Sequence, residues 1–497
     1  MRVRKLSIIP PAVRSHALCL QRQARFGEVR ALRDDDVLPH GRASRDGRTP
    51  TSDGLAARRA FFVLGLGVRD MGSRRKSLAA GAVLLGLCAA GVAEAQDNPL
   101  EALAAGKPIL EIRGRYEFVD QDRLPEDADA YTVRVRAGWQ TGSWRNLSGL
   151  AELDAVQHVG PERFAVNVPG ANTPPLNGAD KARFPVVNDP DVLELNRLQL
   201  AWTPSKGDAL TLGRQRILIG DQRFVGAVPW RQDEQTFDAA RVDLSTGQVR
   251  VLYAYVSRVN RLIGDLRDWD SDSHLLNAVW APTPALNLEG FVYALDFETS
   301  PINSSLTEGV KATGGRKAGP WRFGYAATYA RQSDWRGRTA DFSLDYVGLE
   351  FSAAHGPFGG AIAWDSLEGN GARGFSAPLG SAHAFNGWSD AFVQPGGAKG
   401  FVDGLEDLNL TFTAKPALKY GPLSSPDFLL RHHWFKDERT GADLGQEWGA
   451  QLQFKLGRKW AALLKYADFR REGAVPAGTA TPPASRTKVW MSLEYKL

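Results

Sequence analysis

Cysteine is almost missing from this chain: of 497 residues only positions 19 and 88 carry a thiol, and everything after residue 95 has none. A disulfide scaffold and a thiolate metal site are therefore excluded from the main body. Long apolar runs are missing too. No stretch after residue 96 reaches the roughly 18 consecutive apolar residues of a membrane-spanning helix. The sequence also lacks an H-E-x-x-H pair and a G-x-S-x-G elbow, and its glycine pairs, such as the one in Gly65-Leu66-Gly67, do not follow a strand in a βαβ setting. Zinc-hydrolase, α/β-hydrolase and dinucleotide chemistry lose their usual signatures together, so no metal and no cofactor are expected.

Excess charge is also absent where it would matter. Residues 1–95 hold 17 Lys and Arg against 8 Asp and Glu, whereas residues 96–497 hold 44 against 48. The basic pI belongs to the N-terminal segment and implies no nucleic-acid partner. Within that segment, Met71 opens a secretory signal peptide spanning 71–95. Arg74, Arg75 and Lys76 form its positive region, Leu78 to Val92 its apolar run, and Ala93-Glu94-Ala95 its cleavage site. Bulky Leu87 before Cys88 argues against a lipoprotein. Residues 1–70 precede the signal peptide and show no sustained periodicity, so translation is expected to begin at Met71. Residues 96–108 are then a short periplasmic lead into a body of 109–497.

What the body does contain is alternation. Leu110, Ile112, Tyr116 and Phe118 alternate with Glu111, Arg113, Arg115 and Glu117; Tyr131, Val133 and Val135 alternate with Thr132, Arg134 and Arg136. Trp448 to Phe454 and Val489 to Leu497 repeat the pattern. Such strands have one apolar and one wet face. Eighteen candidate strands follow from Ile109, with 307–318 and 339–355 alternating weakly. Their connections are short (near Ser143 and Lys206, then 245–247, 282–284, 318–320, 355–357, 457–458) and long (159–191, 220–235, 257–273, 331–341, 367–405, 436–444, 470–486) in turn, with 416–426 the exception. Tight turns on one rim and extended loops on the other predict an all-β fold, a transmembrane antiparallel β-barrel of about 18 strands in a bacterial outer membrane. Trp139, Trp202, Trp280, Trp321, Trp448 and Trp460 fall near strand ends, as interfacial girdles require. A soluble β sandwich would keep the same aromatics as core.

The densest chemistry lies between Gly213 and Arg241, where Arg214, Arg216, Asp221, Arg223, Arg231, Asp233 and Glu234 mix with Phe224, Trp230 and Phe237. By parity, Glu111, Arg113, Arg115, Glu117, Arg134, Arg136, Glu152, Asp154, Arg197, Lys455 and Lys488 face the lumen. Arginine forks pair with both oxygens of a carboxylate, so this lumen suits an anionic solute. The alternative for each arginine is a charge ladder bracing neighbouring strands. Arg214 and Arg216 share the parity of the lipid-facing Leu210 and Leu212, which requires either a bulge at Gly213 or a position beyond the membrane band.

The run GRQRI…DQRFVGAVPWRQDEQTFDAARV resembles the signature of the alginate export family of bacterial outer-membrane proteins, as do ELNRLQLAW at Glu194–Trp202 and the closing VWMSLEYKL. The resemblance spans about Ile109 to Leu497; the chain ends inside a strand, as barrel proteins do, though those usually end on Phe or Trp and Leu497 departs from that. It implies an eighteen-stranded monomeric barrel exporting a uronate polymer through an arginine-lined constriction, served by a periplasmic polymer-handling complex. It also favours the bulge at Gly213, because the matching GRQR run contributes to that constriction.

The expected pore residues are Arg113, Arg115, Arg134, Arg136, Arg197, Arg214, Arg216, Arg223, Arg231, Asp221, Asp233 and Glu234, with outer-membrane lipid outside. The expected activity is passage of an anionic poly- or oligosaccharide, not catalysis. A porin for small sugar acids or aromatic carboxylates is the alternative, and an outer-membrane hydrolase a third, with His274 or His355 reached only by elimination. His432-His433 cannot share one strand face. The cluster Asp265, Asp268, Asp270 and Asp272 lacks the glycine of a calcium loop and reads as solvated.

Overall fold

Alternating residues, unbroken by helix signals, fold as strands throughout the described body. The computed structural model describes residues 98–167, 173–394, 397–473 and 480–497, so the readings of 1–70 and of the 71–95 signal peptide lie outside the described residues. The strands run in chain order as β1 (Lys107–Gln121), β2 (Ala128–Gln140), β3 (Leu147–His158), β4 (Val192–Ser205), β5 (Asp208–Gln215) and β6 (Thr236–Thr246). There follow β7 (Val249–Asn260), β8 (Trp269–Thr283), β9 (Leu286–Leu295), β10 (Ser305–Ala318), β11 (Trp321–Ser333), β12 (Ser343–His355) and β13 (Phe358–Leu367). The last are β14 (Leu405–Ala414), β15 (Lys419–Tyr420), β16 (Leu423–Asp437), β17 (Asp443–Leu456), β18 (Trp460–Arg471) and β19 (Arg486–Lys496).

Every neighbour in this sheet is antiparallel, and β1 pairs with both β2 and β19, so the wall closes on itself. β15 is a two-residue spur in the β14–β16 turn, which leaves eighteen strands in the wall. Closure leaves no edge for lipid to strip of hydrogen bonds. The short turns and both ends of the barrel, Lys107 and Lys496, share one rim. Helix α1 (Pro99–Ala104) caps that rim: the Asn98 side chain accepts from the Glu101 N–H at 2.9 Å, and Trp139 donates Nε1–H to the Leu103 carbonyl at 3.0 Å. Among the described residues no helix is long and apolar enough to cross a membrane.

The outer face is apolar. Leu198, Leu200, Leu212, Phe351, Ile362, Leu410, Phe412, Leu452 and Leu493 are all exposed on the isolated chain, as a lipid-facing band must be. Trp202, Trp280, Trp321 and Trp460 ring the short-turn rim and are exposed likewise. The inner face buries Arg134, Arg136, Glu117, Glu152 and Asp154.

Two expectations change. Strand β1 begins at Lys107, two residues inside the expected lead. Gly213 also carries no bulge: Leu198↔Arg214, Gln199↔Gly213 and Leu200↔Leu212 pair in continuous register, as do Gly213↔Ala239 and Arg214↔Asp238. The register shift falls instead in β4, where Glu152 pairs with Arg197 and Leu153 with Leu195, which leaves Asn196 as the extra residue. Gly213 is needed for another reason. Its φ is +105°, and a Cβ there would lie 2.3 Å from the Leu198 carbonyl oxygen.

Candidate functional site

The long loops do not all stand away from the barrel; 216–235 and 368–404 fold into it. After Gln215 the chain turns inward and buries Ile217, Val225 and Phe237 in an apolar cluster with Phe291, Tyr293, Tyr346, Phe375, Leu379 and Phe392. Val225 bridges Leu379 in parallel, and the Gln235 Nε2–H donates to the carbonyls of Gly226 at 2.9 Å and Leu379 at 3.0 Å. Gly226 allows this approach, because a Cβ would meet Ser381 Oγ at 2.4 Å. Loop 159–191 adds Asp189, fully buried, whose Oδ1 accepts from the Gln232 N–H at 2.8 Å.

These loops divide the lumen into two chambers. The one toward the long-loop rim, about 700 Å³, is lined by Gln121, Arg231, Arg258, Arg486 and Lys488, among others. The one toward the short-turn rim, about 740 Å³, is lined by Arg113, Arg134, Arg136, Arg216, Arg431 and Lys465, among others. Val228 and His383 border both chambers and mark the constriction. Val228 is β-branched with φ +52°, a conformation held by the Ser381 hydroxyl accepting its N–H at 3.1 Å.

Nine of the twelve sequence-predicted residues gather on one side, at the foot of loop 216–235. Arg136 donates to Asp154 at 2.9 Å and lies 3.5 Å from Glu234 and 3.8 Å from Glu111. Arg197 pairs with Glu152 at 2.6 Å, and Arg216 donates Nε–H to Glu234 at 2.6 Å. The extra residue Asn196 donates to both Glu152 and Glu234 at 2.8 Å. Arg134 bridges Glu111 and Glu494 at 3.1 and 3.0 Å. Arg231 meets Glu117 at 3.0 Å and Asp390 at 3.7 Å, while Arg115 lies 3.6 Å from Asp189 and 4.4 Å above the Trp230 ring. Asp233 is fully buried beside the Glu194 carboxyl, and burial first and that neighbour second push its own carboxyl well above the ordinary range. Arg113 belongs to this group too but holds only neutral acceptors, Gln232 Oε1 at 2.7 Å and the carbonyls of Pro229 and Arg231.

The other three lie apart. Arg223 reaches Asp365 on β13 at 2.5 Å, and Asp221 accepts from Lys311 on β10 at 2.6 Å. Arg214 shares the face of Leu198, its direct partner, and pairs with Asp238 at 2.8 Å. It is therefore on the outside of the wall, whereas Arg216 reaches the lumen only because the strand has ended.

Sequence reading missed the far side of the constriction. Lys465 on β18 donates to His383 Nε2 at 2.8 Å and sits 4.1 Å from the Trp230 ring and 3.8 Å from that of Trp388. His383 stacks on Trp230 at 4.2 Å and turns Nδ1 to Asp390 at 3.0 Å. Burial, and then Lys465, hold the His383 imidazole well below its usual range, so it is neutral. Burial opposes ionisation of Asp390, but His383, Lys399 and Lys488 outweigh it and keep its carboxyl well below the usual range. Arg431 donates to Thr411 at 2.8 Å and lies 5.5 Å from the Trp388 ring. Parity flags Lys465, whose neighbours Leu464 and Tyr466 are exposed on the lipid face; nothing in the sequence brings His383 to it.

The remaining candidates are placed elsewhere. His432 packs between Trp434 and Trp448 while His433 turns to Asp407 at 2.8 Å, so the two do take opposite faces. Arg258 meets Asp268 and Asp270, and Arg336 meets Asp272 at 2.6 Å, so three of the four carboxylates of that acidic cluster are ion-paired. His274 bonds the Tyr253 hydroxyl at 2.9 Å, and His355 packs on Trp321 at 5.0 Å.

The family named Alginate export matches residues 110–343. That match and the closed eighteen-strand wall support an alginate export family outer-membrane β-barrel. Solved structures with the same fold include Pseudomonas aeruginosa OpdO, with 16% identity over 79% of this chain and 97% of that one at a TM-score of 0.57. Acinetobacter baumannii OccAB4 is 10% identical over 79% and 98%, with a TM-score of 0.59. Pseudomonas aeruginosa OpdK with vanillate is 14% identical over 80% and 99%, with a TM-score of 0.58. No curated protein matches the sequence. At these identities the solved structures carry the fold alone; fold and family together make the chain an outer-membrane channel.

Proposed function

We propose that this channel passes carboxylate-bearing ring solutes, sugar acids or aromatic acids, through a site made by Arg113, Lys465 and Arg431 with Trp230 and Trp388. One observation carries the reading: among the described residues these three chamber-lining cations have no carboxylate within ion-pair distance, although nearly every neighbouring arginine has one. A solute carboxylate supplies the missing partner, and the indole faces take its ring. The paired arginines brace the wall and loops. Binding at this site stays weak enough for release because carboxylates such as Glu111, Glu234 and Glu494 line the same chamber. Chambers of about 700 and 740 Å³ suit single solutes. The fold neighbour solved with vanillate offers a precedent on the same architecture.

The family match favours a second reading, export of an anionic polysaccharide delivered by a periplasmic complex. A polymer would need loop 216–235 withdrawn from the lumen. Planar-bilayer recording separates the two. An anion-selective current blocked by galacturonate or vanillate supports the first reading. Block by uronate oligomers with none by monomers replaces it with the second, and a cation-selective current defeats both.

A further inference from the structure

Near the outer end of β3, His158 is pinned in an orientation that leaves one ring nitrogen facing negative charge. Its Nε2 lies 2.7 Å from the Asp189 carbonyl oxygen, which can only accept, so Nε2 carries the proton. The ring edge also packs on Phe164 at 4.8 Å, which fixes its plane. Nδ1 then points between Glu162 Oε1 at 3.2 Å and Asp191 Oδ1 at 3.6 Å. In the neutral ring this sets a lone pair against two carboxylate oxygens, an arrangement that requires a cation at its centre.

Asp191 Oδ1 already accepts from the His158 backbone N–H at 2.5 Å, which holds this carboxylate beside the ring, and a second ring proton would satisfy Glu162 while lying beyond hydrogen-bond range of Asp191. A divalent cation satisfies all three donors at once. The 3.2 and 3.6 Å separations bracket the roughly 3.4 Å edge of a tetrahedron with bonds of about 2.1 Å. The donor atoms all lie within 4.8 Å of one another. The imidazole is buried, whereas Glu162 and Asp191 are 37% and 55% exposed, so an ion can enter from solvent and draw the carboxylates in. Lys181 bonds the Glu162 backbone carbonyl at 2.9 Å and lies 3.6 Å from Asp180; among the described residues it forms no ion pair with the Glu162 carboxylate. A neutral imidazole held through its other nitrogen by a backbone carbonyl is the arrangement that metal-bound histidines adopt.

We propose that His158, Glu162 and Asp191 bind a divalent cation of borderline character, Zn²⁺ or a similar ion, that staples the base of the outer loop 159–191. Glu162 follows β3 and Asp191 precedes β4, so the ion ties both ends of the loop to one histidine. Through that histidine it also holds Asp189, whose carboxylate anchors Gln232 at 2.8 Å and faces Arg115 at 3.6 Å in the constriction. The proposal does not depend on which solute passes, and it departs from the metal-free expectation drawn from sequence.

Tag-free full-length barrel in detergent, stripped with chelator, is titrated with Co²⁺ and followed by visible absorption and calorimetry. One equivalent is expected to bind with tetrahedral absorption bands. His158→Gln and the double variant Glu162→Gln/Asp191→Asn should each weaken binding at least about ten-fold. The double variant changes only partly exposed side chains, and heat-modifiable gel mobility checks that it remains a folded barrel. No uptake by the wild type, or uptake equally tight in the folded double variant, overturns the site and leaves a protonated-histidine clamp.

Discussion

The two sides of the constriction carry the same kinds of residue and do opposite things with them. On the side of β1 to β6, Arg136, Arg197 and Arg216 are sunk among Asp154, Glu152 and Glu234, each charge spent on a neighbour. Across the chamber, Lys465 and Arg431 rest on indole faces, a neutral histidine and a threonine hydroxyl. The dense side looks like the selectivity filter and the sparse side like ordinary wall. A counted arginine is not a field: a solute responds to charge left uncompensated, and that lies largely on the sparse side.

The largest effect should come from breaking the compensated side. Arg136→Met strands Asp154 and takes one of the cationic partners from Glu152 and Glu234, all nearly fully buried, and losing one member of such a network costs about 3–5 kcal/mol. The loss should fall on loop 216–235, because Glu234 belongs to it. Protease nicking of that loop should rise sharply and single-channel current should become larger and noisier. Adding Glu234→Gln should recover part of the order. A single variant with wild-type current and protease resistance would mean the network contributes no structural hold.

How far the sequence reaches can be judged on the same residues. Ile112, Tyr116 and Phe118 against Arg113, Arg115 and Glu117 announce a wall, because period two is a property of adjacent residues and survives any tertiary context. Strand number and loop asymmetry follow from it. Inward folding of 216–235 does not, since Ile217 and Val225 carry no period and an apolar loop reads the same whether it enters the lumen or covers a rim. Arg214 and Arg216 differ because the strand stops between them, and strand ends are what sequence places least well. Lys465 is legible as an inward lysine. Its special status depends on His383 and Trp388, which arrive from loop 368–404 and from no local pattern.

An intermediate effect sharpens the comparison directly. Removing a charge about 4 Å from a solute in water-like surroundings forfeits roughly 1 kcal/mol, or about five-fold in affinity. Lys465→Met and Arg431→Met should each weaken galacturonate or vanillate block by about that factor and lower anion preference, with barrel stability unchanged. Arg197→Met is the control from the compensated side, and it should move block less than either. If Arg197→Met shifts block as much as Lys465→Met, the division into bracing and binding cations fails.

The smallest effect tests whether the compensated side is itself fully compensated. Asp233 lies beside Glu194 inside the bracing cluster, with one oxygen taking the Glu234 N–H at 2.6 Å and its carboxyl turned against that of Glu194. Burial raises its folded pKa above the unfolded value of about 3.9. The folded protein then binds the proton more tightly than the unfolded chain, so this group costs nothing below about pH 4 and subtracts stability as pH rises from there. Asp233→Asn keeps the accepting oxygen and turns the other atom into a donor toward Glu194. It should match the wild type in thermal unfolding at pH 4 and exceed it at pH 8 by something on the order of 1 kcal/mol. A variant less stable than the wild type at pH 8 would mean that Asp233 is held as a carboxylate, and that the dense side has cationic charge to spare after all.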